Sequence, residues 1–177
     1  MIEQDFSFRR VEEILRLMAP HFLLLLLLFV NVMALPFFPD GAVKPQLVLM
    51  VVYYWAIYRP TLVPPLFCFG LGLLMDILSG MPPGINAFIL VLTQWIVRGQ
   101  RRFLMGQPYS TIWAVFGFVA VSSIFVQWLL YGLSHMHWGP LFPVFIGVLV
   151  GLFLFPFVTL LLVVTHRMLP VASRPFT

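Results

Sequence analysis

Between Phe103 and His166 the chain carries no Asp, Glu, Lys or Arg. One helical crossing of a bilayer needs roughly 20 residues, so this stretch holds two crossings joined by a neutral turn. Such a run excludes most water-soluble folds, and the composition extends the argument to all 177 residues. They are 62% hydrophobic and only 9% charged, with a mean hydropathy of +1.03, far too apolar for a soluble domain. The formal charge of +4 raises the question of nucleic acid. However, the ten basic residues are scattered between apolar runs and form no face that could follow a phosphate backbone.

The pattern predicts an all-α polytopic membrane protein with six transmembrane helices. Residues 1–18 mix acids and arginines with Phe8, Val11, Leu15 and Met18 at roughly helical spacing, and read as a cytoplasmic amphipathic segment. Residues 19–167 form the six-helix domain, and residues 168–177 a cytoplasmic tail. Span 1 runs from Pro20 to about Leu35, with Leu23 to Leu28 facing lipid and Asn31 facing protein. No small-residue cleavage pattern follows it, so it reads as an uncleaved span.

Span 2, Gln46 to Tyr58, is short at about 20 Å. Either it begins earlier, near Ala42, or neighbouring helices cover its end. Tyr53, Tyr54, Trp55 and Tyr58 beside Arg59 read as a headgroup-level aromatic belt. Span 3 runs from Leu62 to Leu78, span 4 from Ile85 to Val97, span 5 from Ser110 to Leu133 and span 6 from Leu141 to Val164. With both termini in the cytoplasm, nine of the ten basic residues fall inside and only Lys44 outside, as the positive-inside rule requires.

Asp76 is the sole carboxylate within any span. It lies on a small, polar face with Gly72 and Cys68, ahead of the turn Ser79-Gly80-Met81-Pro82-Pro83-Gly84. Three roles are open to it: holding the turn by accepting amide hydrogen bonds, serving a proton, ion or ligand, or docking a partner. Its place near a helix end favours the first. Asn86, Thr93 and Gln94 in span 4 read as bonds between spans, and Ser123 and Gln127 share a face of span 5. Gly147 and Gly151 form a small-residue pair in span 6, ahead of Pro156, an expected kink that leaves one carbonyl without its amide partner. His135 and His137 lack a third ligand unless Asp76 supplies it across the fold, so no metal site and no cofactor are expected. No nucleotide loop, nucleophile elbow or pair of carboxylates is present, and an enzyme is not expected.

The block Gly70-Leu-Gly-Leu-Leu-Met-Asp76-Ile-Leu-Ser-Gly80, leading to Pro83-Gly84 and then Asn86-Ala87, resembles that of the MreD family of bacterial rod shape-determining proteins. So do the Pro45-Gln46 opening of span 2 and the overall length. The resemblance implies a non-enzymatic inner-membrane subunit of the cell-wall elongation complex. Its expected partners are MreC and, in the wider complex, MreB, RodZ, RodA and penicillin-binding protein 2. It also implies a helical arrangement similar to the substrate-binding S subunits of energy-coupling-factor transporters. That likeness keeps open a small-molecule or lipid-binding role, through a cavity lined by Asp76, Asn86 and Gln127. Packing is the expected mechanism, with the small-residue side of span 3 (Gly72) or span 6 (Gly151) receiving a partner helix in a setting of membrane lipid.

Overall fold

The computed structural model describes residues 18–33, 45–136, 138 and 141–168. The amphipathic segment and the tail lie outside these residues except for Met18 and Met168, as do Asp40, Lys44 and His137. Every regular element described is helical. In order they are α1 (Met18–Val32), α2 (Leu47–Tyr58), α3 (Pro65–Ser79), α4 (Ile85–Gly99), the one-turn α5 (Arg101–Leu104), α6 (Tyr109–His135) and α7 (Leu141–Met168). Two of them hold stretches long and apolar enough to cross a membrane, Tyr109–Ser134 and Phe145–Arg167. Of the most apolar 18 residues of each, only 22% and 33% are buried, so both helices keep extensive apolar surface facing outward. Outward apolar surface on this scale fits lipid and not water, and supports an all-α, membrane-embedded protein.

The core is organised around the shortest long helix. All residues of α2 from Leu47 to Ile57 are buried, and α4, α6 and α7 pack around it. At 12 residues it rises about 18 Å. The helix does not extend back toward Ala42, since Pro45 and Gln46 are not helical. Its neighbours cover its start instead, and the Leu47 amide donates to Asn31 Oδ1 at 2.7 Å. A backbone donor that lipid would leave unmet is thus satisfied from α1.

Contacts between helix ends sort into two groups at opposite ends of the molecule. At one end, His21 of α1 packs against Phe67 of α3, Arg101 donates to the Ile57 and Tyr58 carbonyls, and Tyr54 meets His166 of α7. At the other, Asn31 meets Leu47, the end of α3 meets the start of α4, and the start of α4 meets the later part of α6. The six long helices therefore alternate in direction. Among the described residues Arg59, Arg98, Arg101, Arg102 and Arg167 stand toward the first end, and Asp76 alone carries charge toward the second.

The packing corrects two expectations. The run Leu23 to Leu28 is not simply lipid-facing, because Leu24, Leu27 and Leu28 are buried while Leu25 and Leu26 are exposed. A continuous leucine run hides the three-to-four spacing that separates the two faces. Nor do the α2 aromatics form a surface belt. Tyr53, Tyr54 and Trp55 are buried, Tyr54 and Trp55 around the His166 ring and Tyr53 against Phe116 and Phe155. Because α2 is central, its aromatic end meets protein where an outer helix would meet headgroups. The Tyr53 hydroxyl donates to the Ile112 carbonyl at 2.9 Å, and Phe116 stacks on Phe155 at 4.2 Å, tying α2, α6 and α7 together.

Pro156 lies inside α7. Its ring removes the amide that the Leu152 carbonyl, four residues earlier, would accept. The indole of Trp113 in α6 donates to that carbonyl at 3.1 Å. The fault in one helix is thus repaired by a side chain from its neighbour.

Candidate functional site

The α3–α4 hairpin carries the densest polar structure among the described residues. Helix α3 ends at Ser79 because Gly80 adopts the left-handed conformation (φ 64°), which a residue without Cβ enters freely. The Met81 amide then donates to the Asp76 carbonyl at 3.0 Å, closing the helix end. Pro83 stands exposed in the turn, and Gly84 (φ 108°) precedes the first residue of α4. Having no side chain, Gly84 cannot cap the free amides of that helix start.

Asp76 does so from across the turn. Its Oδ2 accepts from the Gly84 amide at 2.8 Å. Its Oδ1 accepts from the Asn86 amide at 3.0 Å and from Asn86 Nδ2 at 2.8 Å. The carboxylate is fully buried, acts only as an acceptor, and faces the positive end of the α4 dipole. Such charge-assisted bonds offset the cost of taking a carboxylate out of water. Gln127 of α6 continues the chain by donating Nε2 to Asn86 Oδ1 at 3.2 Å. Asp76, Asn86 and Gln127, chosen from sequence, therefore form one relay across α3, α4 and α6.

Glycine makes this closeness possible. A Cβ on Gly72 would run into the Ala87 backbone and come within 2.7 Å of the Asn86 carbonyl carbon. The small face of α3 is therefore filled by α4. Gly147 and Gly151 of α7 are buried as well, and a Cβ on Gly151 would lie 3.5 Å from the end of the Met50 side chain of α2. Both small-residue faces make their contacts within the chain.

Beside the relay lies a cavity of about 70 Å³, lined by Asn31, Gln46, Ser79, Asn86 and Gln127 among others. It has room for a few waters, well below the roughly 300 Å³ at which ligand pockets begin, and Asp76 does not line it. Sequence reasoning missed Trp113: Pro156 marks Leu152 as a carbonyl needing a donor, but nothing in the sequence names which donor. The expectation for Gln94 fails: it is fully buried, and neither its amide nitrogen nor its oxygen finds a hydrogen-bond partner. No group of three or more His, Cys, Asp or Glu side chains suited to a metal occurs among the described residues. His137 and the His135 side chain lie outside the described residues.

Neither a curated protein nor a solved structure matches the chain significantly. The family model described as rod shape-determining protein MreD matches residues 11–165, a span that includes the hairpin, its acid and the helices around it up to the last turn of α7. On that match the chain belongs to the MreD family.

Proposed function

We propose that this protein is a non-enzymatic scaffold of the bacterial cell-wall elongation complex. In this reading it crosses the inner membrane six times with both termini in the cytoplasm, in an arrangement akin to the energy-coupling-factor S subunits. It binds MreC there and works with the peptidoglycan synthase of RodA and penicillin-binding protein 2, together with MreB and RodZ. Family membership supports the process. The alternating helices and the arginines gathered toward one end support the topology.

The observation that carries the non-enzymatic part is the state of Asp76. The only acid among the described residues is spent on three internal hydrogen bonds, leaving no free acid or base at the hairpin. Its role is to hold the turn and so fix the outer ends of α3, α4 and α6. Because Gly72 and Gly151 are already packed within the chain, a partner helix docks on a surface that the fold leaves exposed.

Purification from native membranes in mild detergent, with the bound proteins identified, tests the reading. MreC should accompany the protein in near-equal amount. Its absence from a preparation that is folded by thermal unfolding would refute the scaffold assignment.

A further inference from the structure

The cavity of about 70 Å³ beside the relay is walled by polar side chains from five helices or their ends. Asn31 comes from α1, Gln46 from the residue before α2, Ser79 from the end of α3, Asn86 from α4 and Gln127 from α6. We propose that this cavity binds ordered water, which carries the relay of Asp76, Asn86 and Gln127 on to Gln46 and Asn31 and so links α1 and α2 to the hairpin. The inference rests on the geometry of the hairpin and needs no partner of the elongation complex.

Three observations select water. The first is an unmet acceptor. Gln46 Oε1 is buried and has no hydrogen-bond partner among the described residues. An amide oxygen held away from solvent without a donor is destabilising, and a water bound at a polar wall supplies one. Gln94 is unmet too, yet it lines no part of this cavity, so of the two only Gln46 has room for a water at its side. The second is size. A water's share of liquid volume is about 30 Å³, so the cavity takes about two, whereas ligand pockets start near about 300 Å³.

The third is the mixture of groups. Asn31 Oδ1 already accepts from the Leu47 amide, which leaves Asn31 Nδ2 to donate. Gln127 Nε2 is given to Asn86, which leaves Gln127 Oε1 to accept. The Ser79 hydroxyl and the Gln46 terminal amide can do both. A cation needs oxygens alone and an anion donors alone. Asp76, the one charged side chain toward this end among the described residues, has both oxygens committed to the hairpin. Water donates as well as accepts, and a buried water makes about three hydrogen bonds. Two waters bonded to one another therefore call for about four further partners, which Asn31, Gln46, Ser79 and Gln127 provide.

Pulsed X-ray irradiation of the protein in mild detergent makes hydroxyl radicals from bound water where it sits, and methionine reports them because it oxidises readily to the sulfoxide. Met75 lines the cavity although it is buried, whereas Met50 is buried in α2 and lines none of it. Mass spectrometry should show Met75 forming sulfoxide several-fold faster than Met50. Gln46→Leu removes an amide whose oxygen is unmet and should bring the Met75 rate down toward that of Met50, and Gln127→Leu should do the same. Replacing sodium and potassium in the buffer by choline should leave the wild-type rates unchanged. Equal rates for Met75 and Met50 in the wild type, or a Met75 rate that neither variant lowers, would overturn the proposal. A Met75 rate that rises when the small cations are withdrawn would give the cavity to a cation and overturn it as well.

Discussion

Replacing Asp76 by Asn changes almost no volume but converts an acceptor-only group into one with a single acceptor atom and a donor. The remaining oxygen can serve the Asn86 amide and Nδ2, which now share Oδ1. The new NH2 must then face the Gly84 amide, donor against donor, where Oδ2 accepted at 2.8 Å. One charge-assisted bond, at about 1.5–3 kcal/mol, is lost outright, and the other two fall to about half strength once the charge is gone. The total is about 3–6 kcal/mol, a large share of a net stability of about 5–15 kcal/mol. For a chain of this size that corresponds to a fall in Tm of about 10 °C. The assay is thermal unfolding of wild type and variant in the same mild detergent, with capture of MreC measured well below both transitions. Capture should persist at low temperature if, as proposed, the acid holds the turn and docks no partner. An Asp76→Asn protein melting within about 2 °C of wild type would refute the reasoning, since shifts of that size mean well under 1–2 kcal/mol. Lost capture at unchanged Tm would reassign Asp76 to a partner or ligand.

Three further outcomes follow from the packing. Gly72→Ala drives a methyl into the Ala87 backbone; main-chain atoms cannot swing aside, so the cost should reach about 3 kcal/mol or more, read as a lower Tm or failure to accumulate. Gln94→Met should stabilise the protein by about 1–3 kcal/mol, because it replaces a buried amide lacking any partner with an apolar chain of similar shape; an unchanged or lowered Tm would count against it. Trp113→Phe leaves the Leu152 carbonyl without the indole donor and should cost about 1–2 kcal/mol. Returning the missing amide with Pro156→Ala should relieve most of that penalty in the double variant, and a strictly additive result would show that the two residues are not coupled.

The hairpin could be read from sequence because its determinants are local. Gly80, Pro83 and Gly84 stop and restart helices by backbone conformation, and an acid four residues before the stop lies within reach of the next helix start. Helix order was legible for the same reason, since proline, glycine and arginine punctuate the apolar runs. The burial of Tyr53, Tyr54 and Trp55 was not legible. Amphipathic rings beside an arginine look the same in a surface belt and in a core cluster, and only the central place of α2 separates the two. The one-turn α5 was missed too, being shorter than any periodic pattern can reveal. Gln94 shows the opposite limit: a polar residue in an apolar helix implies a partner, and here it has none.

The unequal helix lengths shape the surrounding lipid. Helices α6 and α7, at 27 and 28 residues, rise about 40 Å, whereas α3 and α4, at 15 each, rise about 22 Å. Both pairs expose large apolar side chains, among them Leu66, Ile77 and Trp95 on the short pair and Phe118, Phe153 and Leu160 on the long one. On the proposed six-crossing topology the two flanks therefore ask the same bilayer for different thicknesses: it must thin beside one while the other tilts, each at a fraction of a kcal/mol per Å of mismatch. A molecule that warps its lipid unevenly is drawn to wherever that warp is shared, so the thin flank favours a neighbour with an equally short side.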